Sequence, residues 1–145
     1  MWQLFGFMKI MEELLLEGKK RRTSRAFSKF RDRCKIGDIM RIYTGLRTKN
    51  CKKLFNARVV EKLYWNIDDA PGDQKLAKKL ESPRKGETWE EFALKDGFDF
   101  YSDFLSFFKD HPKKTKKFIF FRFTTNLMEE YNIPNNMKIT AFIGV

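Results

Sequence analysis

The sequence predicts an α+β fold in which short strands form a small β pseudo-barrel flanked by short helices. Three observations lead there. β-branched and aromatic runs recur at Trp2 to Phe7, Ile39 to Thr44, Leu54 to Trp65 and Lys117 to Phe123. Apolar residues at helical spacing lie between them, and the connections vary in length, which suits a partly closed barrel with helices beside it. With 42% apolar residues and 16 Phe, a chain of 145 residues has the material for one core. The expected organisation is a single domain over 1–145, with an insertion at 66–86.

Taken in order, Trp2 to Phe7 reads as a first strand, and Ile10, Met11, Leu14 and Leu15 recur at helical spacing up to Gly18, which should stop the helix in a sharp turn. Ser24 to Lys35 is polar, basic and without clear period, so a loop or short extended segment is expected. Ile36-Gly37-Asp38 marks a turn, and Ile39 to Thr44 a second strand ending at Gly45. Leu46 to Lys53 should be a basic loop and Leu54 to Trp65 a third strand. Asn66 to Gly86, with Asp68-Asp69, Pro71-Gly72 and Ser82-Pro83, reads as the decorating insertion.

Thr88 and Glu91 have capping-box spacing, so a helix should start there and bury Trp89, Phe92 and Ala93 before Asp96-Gly97 closes it. A second helix is expected over Phe100 to Asp110, with Phe104, Leu105, Phe107 and Phe108 on its apolar side. Lys117 to Phe123 has few polar breaks, which predicts a central strand. A helical turn at Asn126 to Tyr131 and a last strand at Met137 to Ile143 complete the expectation.

The net charge is +11 and uneven. Between Gly18 and Lys62 there are 16 Lys and Arg against three acids, whereas between Glu81 and Phe104 seven acids face three cations. A strongly positive region points first to nucleic acid. Lys19, Lys20, Arg21, Arg22 and Arg25 crowd around Thr23 and Ser24, and Arg47, Lys49, Lys52 and Lys53 form a second basic patch beside Tyr43. Cationic loops position phosphates and aromatic faces stack bases, so these residues, with Tyr43 and either Phe27 or Phe30, are the expected RNA contacts. Packing in the core is the competing reading of the aromatics.

Several classes fall away. No stretch has the roughly 18 apolar residues of a membrane span, so no membrane partner is expected. The N-terminal stretch lacks a signal peptide's basic leading region, and Cys34 and Cys51 are too few for a disulfide framework, so a cytoplasmic protein with reduced thiols is expected. The cysteines do not have zinc spacing, and no metal or cofactor is expected. His111 stands alone before Pro112, which argues against a histidine-based triad. Gly45-Leu46-Arg47-Thr48-Lys49 lacks the glycine spacing of a P-loop.

Three stretches resemble the ASCH family of the PUA-like superfamily. Phe7 to Arg25 is similar to its opening strand and helix, ending in Gly18, Lys19, Lys20, Thr23 and Arg25; Lys35-Ile36-Gly37-Asp38 resembles its entry into the barrel; Glu91 to Phe108, with Ala93, Asp96-Gly97-Phe98 and Phe104, resembles the helices before its closing strand. The resemblance implies a PUA-like pseudo-barrel that binds RNA, single-stranded or structured, or a modified nucleoside. It also raises an activity, since bacterial members hydrolyse acetylcytidine with a lysine, a threonine and a glutamate. The first two fall on Lys20 and Thr23. The third falls near Asp96, one methylene shorter, with Glu91 as the other candidate carboxylate. A threonine hydroxyl needs a base to become a nucleophile, and crowding by Lys19, Arg21 and Arg22 would lower the pKa of Lys20 toward that task. A ribonuclease built from Lys20, Thr23, Arg25 and Asp96 is a third expectation, weakened by the lack of a histidine pair.

Overall fold

The computed structural model describes residues 1–124. The helical turn and the strand expected beyond them lie outside the described residues. The chain is α+β, with strands β1 (Trp2–Phe7), β2 (Arg22–Ala26), β3 (Ile39–Thr44), β4 (Lys52–Asn66) and β5 (Lys117–Thr124). They form one mixed sheet in the order β1-β3-β4-β5-β2, consistent with the expected small pseudo-barrel. The short helices are α1 (Glu12–Leu16), α2 (Lys29–Asp32), α3 (Gln74–Ala77), α4 (Trp89–Lys95) and α5 (Tyr101–Lys109). The chain divides into two compact units, interleaved along the sequence.

The first unit comprises residues 1–21, 34–61 and the described residues from Arg122. β1 alternates strictly, with Gln3, Phe5 and Phe7 buried and Trp2 and Leu4 exposed. It pairs in parallel with β3, from Trp2 opposite Ile39 to Phe7 opposite Thr44. β3 runs antiparallel to the long β4, with an irregularity between Ile42 and Tyr43. Phe5, Met40, Ile42, Ala57 and Val59 are fully buried along these strands. A 3-10 turn at Lys9–Met11 leads into α1, which buries only Leu15 and ends at Gly18 with φ of +74°. That stop is where the sequence puts it, because a left-handed residue costs glycine least.

The second unit comprises residues 22–33 and 62–121. Trp65, near the end of β4, is the hub of its core. Its ring centroid lies 4.9 to 6.0 Å from those of Phe108, Phe118, Phe92, Phe104 and Trp89. Such ring pairs add about 0.5–1.5 kcal/mol each beyond the area they bury. α4 opens with both bonds of the expected capping box and buries Trp89, Phe92 and Ala93. α5 buries Tyr101, Phe104 and Phe108, whereas Phe107, expected on the same side, is 52% exposed. β5 has Phe118 to Phe121 buried in succession, as a strand covered on both faces should.

Two expectations need correction. The segment from Ser24, expected to be a loop or a short extended segment, is extended over its part of β2 but then forms α2, capped by Ser28, whose Oγ accepts from the Arg31 N–H at 3.0 Å. β2 lacks an apolar alternation because polar groups take two of its inward positions. Arg22 meets a carboxylate there, and Ser24 Oγ accepts from Trp65 Nε1 at 3.0 Å. The 66–86 segment is no mere decoration: Ile67 and Ala70, with Ala77 of α3, belong to the core around Trp65, and the Tyr101 hydroxyl donates to the Pro71 carbonyl at 2.6 Å.

Candidate nucleic-acid interface

The basic run after Gly18 begins in the first unit. The Lys19 and Lys20 N–H groups both donate to the Leu14 carbonyl, at 2.9 and 3.0 Å, which folds the turn back over the end of α1. Lys19 is exposed and pairs with Glu17 at 2.9 Å; that carboxylate raises its pKa. Lys20 is only 8% exposed, and its Nζ lies 5.8 Å from the centre of the Phe7 ring. Arg21 Nε donates to the Gly18 carbonyl at 3.1 Å. The turn therefore offers solvent fewer cations than its sequence suggests.

In the second unit Arg22 is 6% exposed. Its Nη1 and Nη2 donate to Glu87 Oε2 and Oε1 at 3.0 and 2.9 Å, a bidentate pair. The guanidinium lies over the rings of Phe120 and Phe92, 4.8 and 5.2 Å from their centres. Glu87 Oε2 also accepts from Arg84 Nη1 at 2.7 Å and Lys95 Nζ at 3.3 Å. Burial pushes the Glu87 carboxyl up, but the bonds and charge of Arg22, with those from Arg84 and Lys95, outweigh it and hold the pKa down at about 2. Arg22, expected among the RNA contacts, is thus committed to the interior, because both ends of its guanidinium are already bonded to a buried carboxylate. Glu87 escaped the sequence reading; its partner is 65 residues away, and no local spacing announces such a pair.

Thr23, Arg25 and Asp96 also belong to the second unit. Thr23 is buried in β2, and its Oγ1 accepts from Arg25 Nε at 3.0 Å. Asp96 caps the C-terminal end of α4 and is 7% exposed. Burial pushes the Arg25 guanidinium below its ordinary range and the charge of Arg31 acts in the same direction, while Asp96 opposes both. The Thr23 hydroxyl and the Arg25 guanidinium are thus hydrogen-bonded to each other and the charge of buried Asp96 reaches the guanidinium, groups of the kind that can hydrogen-bond a polar ligand. Glu91, the other candidate carboxylate, is occupied by the cap, its Oε1 accepting from the Thr88 N–H at 3.1 Å. His111 packs edge-on to Phe118 and accepts from the Lys113 N–H through Nδ1 at 3.2 Å, a turn contact.

The second basic patch, in the first unit, is built differently. Gly45, with φ of +65°, starts a tight loop in which an added Cβ would stand 2.9 Å from the Asn50 carbonyl oxygen. The Thr48 hydroxyl donates to the Gly45 carbonyl at 2.6 Å and accepts from the Asn50 N–H at 3.1 Å, so side-chain bonds brace the loop. Arg47, Lys49, Lys52 and Lys53 are all exposed. Lys52 and Lys53 open β4 rather than lying in the expected loop, and Lys53 stands opposite half-buried Tyr43 on β3. Lys52 lies 3.6 Å from Glu12, whereas Arg47, Lys49 and Lys53 have no acidic partner among the described residues.

Comparison with known proteins adds little. No family model matches the chain, and no curated protein does. Among solved structures, the crystal structure of hypothetical protein PH0355 is similar, with a TM-score of 0.48 and 15% identity over 84% of this chain and 95% of that one. A likeness of that size names no activity. Among the described residues no helix is long and apolar enough to cross a membrane.

Proposed function

We propose that this chain is an ASCH-type protein that binds RNA, or a nucleoside within it, through exposed cations. The observation that carries the reading is the braced loop at Gly45 with the start of β4 after it, where Arg47, Lys49 and Lys53 are exposed without acidic partners among the described residues. A cation held on a fixed backbone and left unneutralised costs stability through repulsion, and a phosphate chain removes that cost. The net charge of +11 and the resemblance of the Phe7 to Arg25, Lys35 to Asp38 and Glu91 to Phe108 stretches support the same reading. The free cysteines, Cys34 buried and Cys51 exposed, fit a reducing compartment such as the cytoplasm.

The test is fluorescence anisotropy of a labelled single-stranded RNA across a salt series. Arg47→Ala/Lys49→Ala should weaken binding and reduce the salt slope by about 1.4, the contribution of about two phosphates at ~0.7 each. An unchanged slope would remove the loop from the interface.

A second reading, hydrolysis of acetylcytidine, is favoured by one observation: the Arg25 guanidinium is bonded to the Thr23 hydroxyl and feels the charge of the buried Asp96. On this reading the roles are those of the sequence expectation: Lys20 is the base that takes the Thr23 proton and Asp96 the acid, and the Arg25 guanidinium beside the hydroxyl stabilises the alkoxide so formed. Release of cytidine that disappears in Thr23→Ala would support it, and no release by the unmodified protein would end it.

A further inference from the structure

The face of the second unit's sheet turned away from its aromatic core carries, level with the start of β5, three residues that neither that core nor the basic loop uses. β4, β5 and β2 are neighbours in that order. Trp65 of β4, Phe118 of β5 and Ala26 of β2 point into the aromatic core. Strand alternation therefore turns the residues beside them, Tyr64, Lys117 and Phe27, to the opposite face. The backbone keeps them level: the Phe27 N–H donates to the Lys117 carbonyl and the Ile67 N–H to the Lys116 carbonyl, both at 2.9 Å.

On that face Lys117 Nζ stands 4.2 Å from the centre of the Phe27 ring and 5.3 Å from that of Tyr64. The two rings are 6.4 Å apart and inclined at 53°. Tyr64 is 50% exposed, yet it is not loose. Its hydroxyl is hydrogen-bonded to Asp32 Oδ1. Lys62 Nζ donates to the same oxygen at 3.1 Å and to the Asp32 carbonyl at 2.8 Å. These bonds, the tyrosine's first and that of Lys62 next, hold the Asp32 carboxyl below its ordinary pKa, so the anchor stays ionised at neutral pH. A large ring is thus fixed half-exposed at the surface, with the Lys62 ammonium also 5.3 Å from its centre.

We propose that Tyr64, Lys117 and Phe27 form a stacking platform for an unpaired base of single-stranded RNA. It rests on the RNA-binding reading and adds a base-contacting subsite to the phosphate-contacting loop. The base stacks on the Tyr64 face, and Lys117 supplies the cation for the adjoining phosphate. Asp32 offsets the charge of Lys62 and fixes the tyrosine hydroxyl, so the ring is ordered before RNA arrives and little rotamer freedom is lost on binding. Stacking of this kind accepts any base, so contact should depend on a base being present and weakly on which one.

The experiment uses the full chain and two labelled oligomers of equal length and charge, an oligouridylate and its abasic counterpart. The unmodified protein should bind the oligouridylate more tightly. Tyr64→Ala should weaken that binding by about 5-fold to 150-fold and leave the abasic oligomer unaffected. Tyr64→Phe, which keeps the ring but loses the bond to Asp32, should lose less oligouridylate binding than Tyr64→Ala and leave the abasic oligomer unaffected. Equal binding of the two oligomers by the unmodified protein, or an equal loss for both in Tyr64→Ala, would overturn the platform while leaving RNA binding in place. Binding of neither oligomer at low salt would overturn both.

Discussion

The two basic stretches, Lys19 to Arg25 and Arg47 to Lys53, have similar compositions and opposite physical roles. In the first, Lys19 pairs with Glu17, Lys20 lies against Phe7, Arg21 bonds the Gly18 carbonyl, and Arg22 is buried on Glu87. Of those cations Lys20, Arg21 and Arg22 are taken up by the chain's own structure, and Lys19 is paired at the surface. In the second, a glycine turn and a threonine hydroxyl brace the backbone, and most of the charge is left to solvent. Counting Lys and Arg therefore does not locate a polyanion surface; the partner that each cation meets in the folded chain decides it.

The largest expected effect comes from breaking the first stretch. Arg22→Ala would take away the bidentate partner of the Glu87 carboxylate, leaving it the bonds from Arg84 and Lys95, and should cost up to about 3–5 kcal/mol of stability, measurable by urea denaturation. A cost as small as that of a typical surface substitution, about 0.5 kcal/mol or less, would mean that this cation is not structural.

Acid should reveal the same pair. Glu87 has a folded pKa of about 2 against an ordinary 4.5, so between those values the unfolded chain binds the extra proton. The pair's stability is complete above pH 4.5 and is lost as pH falls toward 2. Melting temperatures measured from neutral pH downward should fall within that window, and Arg22→Met should flatten this part of the profile. An identical profile in the variant would assign acid sensitivity to other carboxylates.

A smaller effect probes a feature outside both stretches. Thr88→Ala removes one half of the α4 cap and should cost about 1 kcal/mol without altering RNA affinity. A larger loss would show that the helix start bears more of the core around Trp65 than a local cap does.

The Thr88 and Glu91 box, the Gly18 stop and the buried run of β5 were all legible in the sequence, because neighbours in the chain or an unbroken apolar run determine them. β2 was legible only as one of two options, a loop or a short extended segment, since two of its inward residues, Arg22 and Ser24, are stabilised by partners far away in sequence. The contribution of 66–86 was hidden for a related reason: Ile67, Ala70 and Ala77 are too widely spaced to show a period, yet each is buried against aromatic residues from other segments. At the candidate site, the exposed cations of the second stretch were readable from charge alone. Glu87 and the anchored Tyr64 were not, because a carboxylate bound to Arg22 and a ring tied to Asp32 exist only in the folded chain.

The most direct test of the difference between the stretches is the salt dependence of RNA binding in three proteins: unmodified, Arg47→Ala/Lys49→Ala, and Lys19→Ala. The double variant should lose about 1.4 from the slope, and Lys19→Ala, whose charge is paired with Glu17, should stay close to the unmodified protein. A full loss of slope in Lys19→Ala with none in the double variant would contradict this and move the interface to the first stretch.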